Sequence, residues 1–263
     1  MPSFTRDGVT IEYETWGSGF PILTFAPAGL ASVIDVWRQG MAPINPTTAF
    51  ADRWQVIAMD QRNAGGRSHA PITAADGWDS YTADHVALLD HLGIRRCHLY
   101  GQCIGGSFIL NLLRLHPERV AAAVMAQPIG RIAPELPPPP ARFQAWAAAL
   151  RDHPEATPEV LEAFYRNMYE KGFVYCADRA AVAAIGNPCM VLAGADDVHP
   201  RAISEEIAQL IPGCEFIPEW KSGPAVEAAR ERVRAFLAAH TPAGGARPRQ
   251  AARWGSVTAS GSS

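Results

Sequence analysis

The run Gly101-Gln102-Cys103-Ile104-Gly105-Gly106 sets a thiol between an apolar segment and a helical one. Cys97-His98-Leu99-Tyr100 before it reads as a short buried strand. After it, Ile104, Phe108, Leu112 and Leu115 recur at helical spacing, and His116-Pro117 closes the segment. A strand that turns at once into a helix around one residue is a strained geometry. It requires glycines nearby, because a Cβ there would meet the neighbouring backbone. Gly101, Gly105 and Gly106 fill that requirement and mark Cys103 as a nucleophile at an elbow. A helix N-terminus stabilises a thiolate, so the position is expected to lower the pKa of Cys103.

The surrounding chain supplies elements to hold such a turn. Gly8 to Trp16 alternates apolar and polar residues, as an opening strand or hairpin does. Apolar strand candidates follow at Ile22 to Phe25, Gln55 to Met59, Cys97 to Tyr100, Ala121 to Met125, Cys189 to Ala193 and Cys214 to Ile217. Amphipathic helices are predicted at Tyr81 to Leu92, Ile104 to Leu115, Arg201 to Ile211 and Ala225 to Ala239. This alternation predicts an α/β protein whose mostly parallel sheet has helices on both faces. From Pro128 to about Gly186 the rhythm breaks into a proline run and two helical patterns. Thr157 is the expected N-cap of the second, with Pro158 in its first turn. The expected organisation is a core of residues 1–127 and 187–240, a helical cap over 128–186, and a disordered tail over 241–263.

The 263 residues are 48% hydrophobic, enough for one sizeable core. A net charge of −3 with interspersed signs argues against nucleic acid or an anionic membrane as partner. Neither an apolar leader nor a membrane-length apolar run is visible. The five cysteines are unpaired in spacing, without a C-x-x-C or His-Cys cluster, so no metal or cofactor is expected. These features fit a cytoplasmic protein acting on a small molecule.

With these elements in order, Gly8 to His240 resembles the α/β-hydrolase fold superfamily. The elbow carries most of the resemblance and is similar to that of dienelactone hydrolases, which use Cys with Asp and His. Asp60-Gln61-Arg62-Asn63-Ala64-Gly65-Gly66-Arg67-Ser68 is similar to the family's D-x-R-G-x-G-x-S loop, one residue longer. Phe25-Ala26-Pro27-Ala28-Gly29 stands where many members have a His-Gly oxyanion loop, with Ala26 in place of the histidine. Gly194-Ala195-Asp196-Asp197-Val198-His199-Pro200 stands where the family places its acid. The longer N-terminal part and the cap are less like dienelactone hydrolases.

The resemblance implies an acyl-transfer site. Its oxyanion donors would be the backbone amides of Ile104 and Ala28, since Pro27 has no N–H. Asp196 is the preferred acid and Asp197 its close competitor. The family's histidine should follow the last strand, but Cys214 to Pro224 contains none. His199 follows the candidate acid and precedes Pro200, which would put it at the N-cap of the Arg201 helix. There it could serve as a base for Cys103, its neutral form favoured by the helix field, or simply cap the helix. The aromatic residues Phe143, Trp146, Phe164, Tyr165 and Tyr169 would either select an apolar acyl group or dock the cap. The expected reaction is cleavage of a small ester, lactone or thioester through a Cys103 acyl-enzyme. The alternatives are a non-catalytic small-molecule binder that has lost its histidine, and an acyltransferase or cofactor-free lyase.

Overall fold

The computed structural model describes residues 1–243 except 41, 66, 134, 135, 137 and 151. The expected disordered tail lies, beyond residue 243, outside the described residues. Eight strands form one sheet in the order β1-β2-β4-β3-β5-β6-β7-β8. They are β1 (Ser3–Arg6), β2 (Val9–Trp16), β3 (Pro21–Phe25), β4 (Gln55–Met59), β5 (Cys97–Gln102), β6 (Val120–Ala126), β7 (Cys189–Leu192) and β8 (Glu215–Ile217). β1 and β2 form an antiparallel hairpin, and β2 joins β4 antiparallel; every other pairing is parallel. The hairpin turns at Asp7 and Gly8, both at positive φ (50° and 80°), as the right-handed twist of two short strands requires.

Strands β3, β5, β6 and β7 are buried at every position, which is why they read as unbroken apolar runs rather than alternations. Two apolar clusters cover the two faces of the sheet. The principal helices are α1 (Asp35–Arg38), α2 (Pro46–Ala49), α3 (Trp78–His91), α4 (Gly105–Leu115), α5 (Ala141–Ala149), α6 (Pro158–Tyr169), α7 (Arg179–Ala183), α8 (Arg201–Leu210) and α9 (Pro224–Ala239). None is long and apolar enough to cross a membrane among the described residues.

Between β6 and β7 the chain leaves the sheet and forms α5, α6 and the short α7, one helix more than the sequence pattern predicts. Thr157 accepts from the Val160 amide at 3.4 Å and Pro158 opens α6, as its capping sequence predicts. The rings of Phe143, Trp146, Phe164 and Tyr165 pack on one another with centroids 4.8 to 6.4 Å apart. Trp146 Nε1 donates to the Asn63 carbonyl at 2.9 Å, and Trp78 Nε1 donates to the Met168 carbonyl at 2.7 Å. These aromatic residues therefore do dock the excursion on the core.

The Asp60 to Ser68 loop is a scaffold. Asp60 Oδ1 accepts from the Ile34 amide at 2.8 Å, and Arg67 holds the same carboxylate at 2.6 Å. Arg62 makes a two-pronged bond to Asp84 at 2.6 and 2.8 Å. Together they fix the segment after β3 relative to β4 and α3. In the order β4-β3-β5, neighbours on opposite sides of β3 are wound in opposite directions, which opens a crevice at the strands' carboxyl ends.

Candidate active site

Cys103 follows β5 directly and has φ +59°, the left-handed region that a β-carbon disfavours. Its amide donates to the Ala126 carbonyl at 3.0 Å, and its carbonyl accepts from the Gly106 amide at 3.0 Å. The strained residue is thus held from both sides. The three glycines are required by space. A Cβ on Gly101 would lie 2.7 Å from the Gly105 carbonyl oxygen, and one on Gly105 would lie 2.8 Å from that of Phe25. A Cβ on Gly106 would meet Pro128 Cβ at 2.6 Å. Helix α4 begins at Gly105, with Ile104 as its N-cap.

Cys103 is 7% exposed. Burial pushes its thiol above the ordinary value, against the opposing effect of the Ile104 amide, the Arg142 guanidinium and the Ala28 amide. This corrects the expectation that the helix terminus lowers it: removal of water from the sulfur outweighs the donors around it. The Ile104 and Ala28 amides both favour the thiolate of Cys103, though less than burial disfavours it. Ala28 is itself at φ +100°, at the start of the 3-10 turn Gly29–Ala31. The other cysteines are remote in character. Burial pushes the thiols of Cys97, Cys176 and Cys214 up to about 12, and that of Cys189 further.

The loop between β7 and α8 carries the carboxylate and the imidazole. Asp196 Oδ1 accepts from His199 Nδ1 at 2.7 Å and from the His199 amide at 2.9 Å. The turn is tight: a Cβ on Gly194 would lie 2.1 Å from the His199 carbonyl oxygen. Burial works against ionisation of Asp196, yet hydrogen bonds from the His199 side chain and amide, and from Lys221, hold its carboxyl down at about 2. Asp197 is exposed and makes no hydrogen bond or ion pair among the described residues.

His199 does not cap α8. Pro200 occupies the N-cap with extended dihedrals (φ −61°, ψ 131°), and the imidazole turns back to Asp196 instead. Burial lowers the His199 pKa; Asp196 opposes the shift, while Lys221 and Arg142 reinforce it. The neutral form is favoured, as the sequence suggests, but mainly by loss of water rather than by the helix field. With Nδ1 bonded to the carboxylate, the remaining nitrogen is Nε2. It is buried and has no hydrogen-bond partner among the described residues.

Lys221 is a partner of Asp196 that sequence reasoning missed. It follows β8, in the segment where the resemblance expects histidine, and its Nζ lies 3.3 Å from Asp196 Oδ2. Asp196 therefore holds an imidazole with one oxygen and an ammonium with the other. The only sequence signal was the segment's lack of histidine. The remaining histidines fall in structural contacts: His85 is buried against Gln61 at 2.8 Å, and His69 stacks on His153 at 4.5 Å. His240 bonds back to the Phe236 carbonyl at 2.9 Å. No cluster of metal-binding side chains occurs among the described residues.

A sequence profile of the α/β hydrolase fold matches residues 25–175. A non-heme haloperoxidase of Rhodococcus erythropolis is 35% identical over 136 residues, covering 51% of this chain and 45% of that protein. The 3-oxoadipate enol-lactonase 2 of Acinetobacter baylyi is 28% identical over 221 residues, covering 74% of this chain and 79% of that one. The chain spans about half the length of the first curated relatives it matches. Among solved structures, the enol-lactonase of Burkholderia xenovorans LB400 superposes with a TM-score of 0.68 at 22% identity, over 90% of this chain and 100% of that one. Its likeness is one of fold. The strained turn after β5 and the matched profile agree, and the chain belongs to the α/β hydrolase fold family.

Proposed function

We propose that the chain is a hydrolase that cleaves a small carboxylic ester, lactone or thioester through an acyl-enzyme on Cys103. The observation that carries this reading is Cys103 itself, held at φ +59° between glycines that leave no room for a Cβ. Such a residue costs backbone strain, which only a surrounding structure built around it sustains.

In this reading His199 Nε2 takes the thiol proton as the sulfur attacks the carbonyl carbon. The Ile104 and Ala28 amides stabilise the oxyanion. As the tetrahedral intermediate collapses, the bond to the leaving oxygen or sulfur breaks, and the leaving group takes the proton from His199. Water then attacks the thioester, giving a proton to His199 as the acyl carbon–sulfur bond breaks and the thiol is restored. Asp196 holds the imidazole in the tautomer that leaves Nε2 free as a base. The raised thiol pKa gives this base a large part in the attack, because burial favours the thiol over the thiolate. The excursion over 128–186 is the cap that selects the acyl group.

The test is hydrolysis of 4-nitrophenyl acetate or a thioester by the purified protein. Activity lost in Cys103→Ala and lowered in His199→Ala supports the reading. Full activity in Cys103→Ala overturns it.

One observation favours a second reading, acyl transfer. Cys103 is nearly closed to solvent, which would slow attack by water on an acyl-thioester. If acylated Cys103 is released by an alcohol or an amine but not by water, the transferase reading replaces hydrolysis.

A further inference from the structure

We propose that Arg142 is the specificity-determining residue of this site and that it recognises a carboxylate carried by the acyl substrate. The inference rests on Cys103 as the reacting residue. Arg142 is the second residue of α5 and is exposed. Among the described residues it forms no ion pair, whereas Arg62, Arg67, Arg114 and Arg119 are each neutralised by aspartates. Its helix begins without an acidic residue in the first turn, and its N-cap, Pro140, offers no side-chain acceptor. The positive field of the helix start therefore adds to that of the guanidinium.

The packing of α5 brings this charge beside the site: the helix lies on the Gly29–Ala31 turn, which continues directly from Ala28. Between α5 and the core loops lies a cleft of about 560 Å³, lined by Arg142 with Ala31, Asn63, His69, Trp146 and His153. That is the size of a small-ligand site, and its described lining contains no carboxylate. The Arg142 charge also favours the anionic forms of Cys103, Tyr165, Tyr169 and Tyr175 and the neutral form of His199. Five groups from four segments of the chain thus lie within its field. Asp196, the carboxylate closest in role, is already held by His199 and Lys221. A substrate carboxylate would supply the missing partner, in the two-pronged geometry that a guanidinium offers.

The test compares matched substrates that differ only in charge: mono-4-nitrophenyl glutarate and its methyl ester. The wild-type protein should prefer the anionic ester in kcat/KM, and Arg142→Gln should lower the anionic-to-neutral ratio about tenfold, chiefly through KM. Arg142→Lys should restore part of the ratio. A parallel readout needs no turnover: the rates at which 4-maleimidobutyrate and its methyl ester alkylate Cys103, followed by peptide mass mapping at pH 8. The anionic-to-neutral rate ratio should fall in the same variant. Where the esters are cleaved, an unchanged ester ratio in Arg142→Gln overturns the proposal. Where neither ester is cleaved, the hydrolase reading fails and the alkylation ratio decides alone: a fall sustains carboxylate recognition, and an unchanged ratio overturns it.

Discussion

The turn around Cys103 and the loop from Gly194 to Pro200 both lie at the carboxyl edge of the sheet, and they are held in opposite ways. The first is fixed by backbone sterics. Three glycines leave room that a Cβ would fill, and the residue among them is forced into the left-handed region. The second is fixed by side chains: one carboxylate bonds an imidazole, a backbone amide and an ammonium. Burial also acts differently on the two. It works against ionisation of both Cys103 and Asp196, but only Asp196 has enough hydrogen bonds to remain strongly acidic. Cys103 is therefore placed by shape and its thiol form is favoured, while Asp196 and His199 are placed by charge and hydrogen bonding, with the imidazole favoured in its neutral form.

The largest effect should follow loss of the sulfur. Cys103→Ala is expected to lower kcat/KM for an activated ester by about 10⁴-fold, measured by 4-nitrophenolate release, with the folded state retained. His199→Ala should cost about 10²- to 10⁴-fold, because a thiol with a raised pKa depends on its base. If the loss is severalfold only, the thiol ionises without His199 and the contrast between the two regions is wrong.

Asp196→Asn should lower the rate by roughly 10²-fold, less than removal of the imidazole it orients. The same carboxylate supplies a pH test. Its folded pKa of about 2 lies below the ordinary aspartate value of about 3.9, so its contribution to stability is present above the latter and lost as pH falls through the former. Thermal melts should show that this acid-side loss is smaller in Asp196→Asn. The side chain is 48% exposed, so the difference should be modest.

Sterics should show themselves in stability. Gly105→Ala is expected to destabilise by roughly 1–3 kcal/mol in urea unfolding, because the new methyl meets backbone of Phe25. An unchanged midpoint would mean that the turn is looser than its contacts indicate. The smallest effect belongs to Lys221→Ala. Lys221 lowers the His199 pKa, so its removal should move the acid limb of the kcat/KM profile to higher pH, by less than about one unit. A shift to lower pH would show that the ammonium does not act on the imidazole.

The same contrast explains how much could be read from the chain alone. The turn at Cys103 is legible because its glycines are local in sequence and their spacing has one steric meaning. The buried strands β3, β5, β6 and β7 are legible for a similar reason, as apolar runs bounded by turns. The state of the thiol was not, since burial depends on everything packed over it. The pairing of Asp196 with His199 could be suspected from their spacing, but not that the ring would turn away from capping and leave Pro200 as the N-cap. Lys221 reaches Asp196 across 25 residues only because β8 pairs with β7, a contact with no local signature. Arg142 on α5 was equally silent, because its lack of an ion pair among the described residues depends on what the fold packs around it.

The most direct test of the account is to mix the protein with 4-nitrophenyl acetate, quench with acid and map the acylated peptide by mass spectrometry, in wild type and in His199→Ala. The account predicts an acetyl group on Cys103, persisting longer in His199→Ala, where the water that cleaves the thioester has lost its base. Ester cleavage that proceeds with no acyl group on Cys103 in either protein, and continues undiminished in Cys103→Ala, would contradict it.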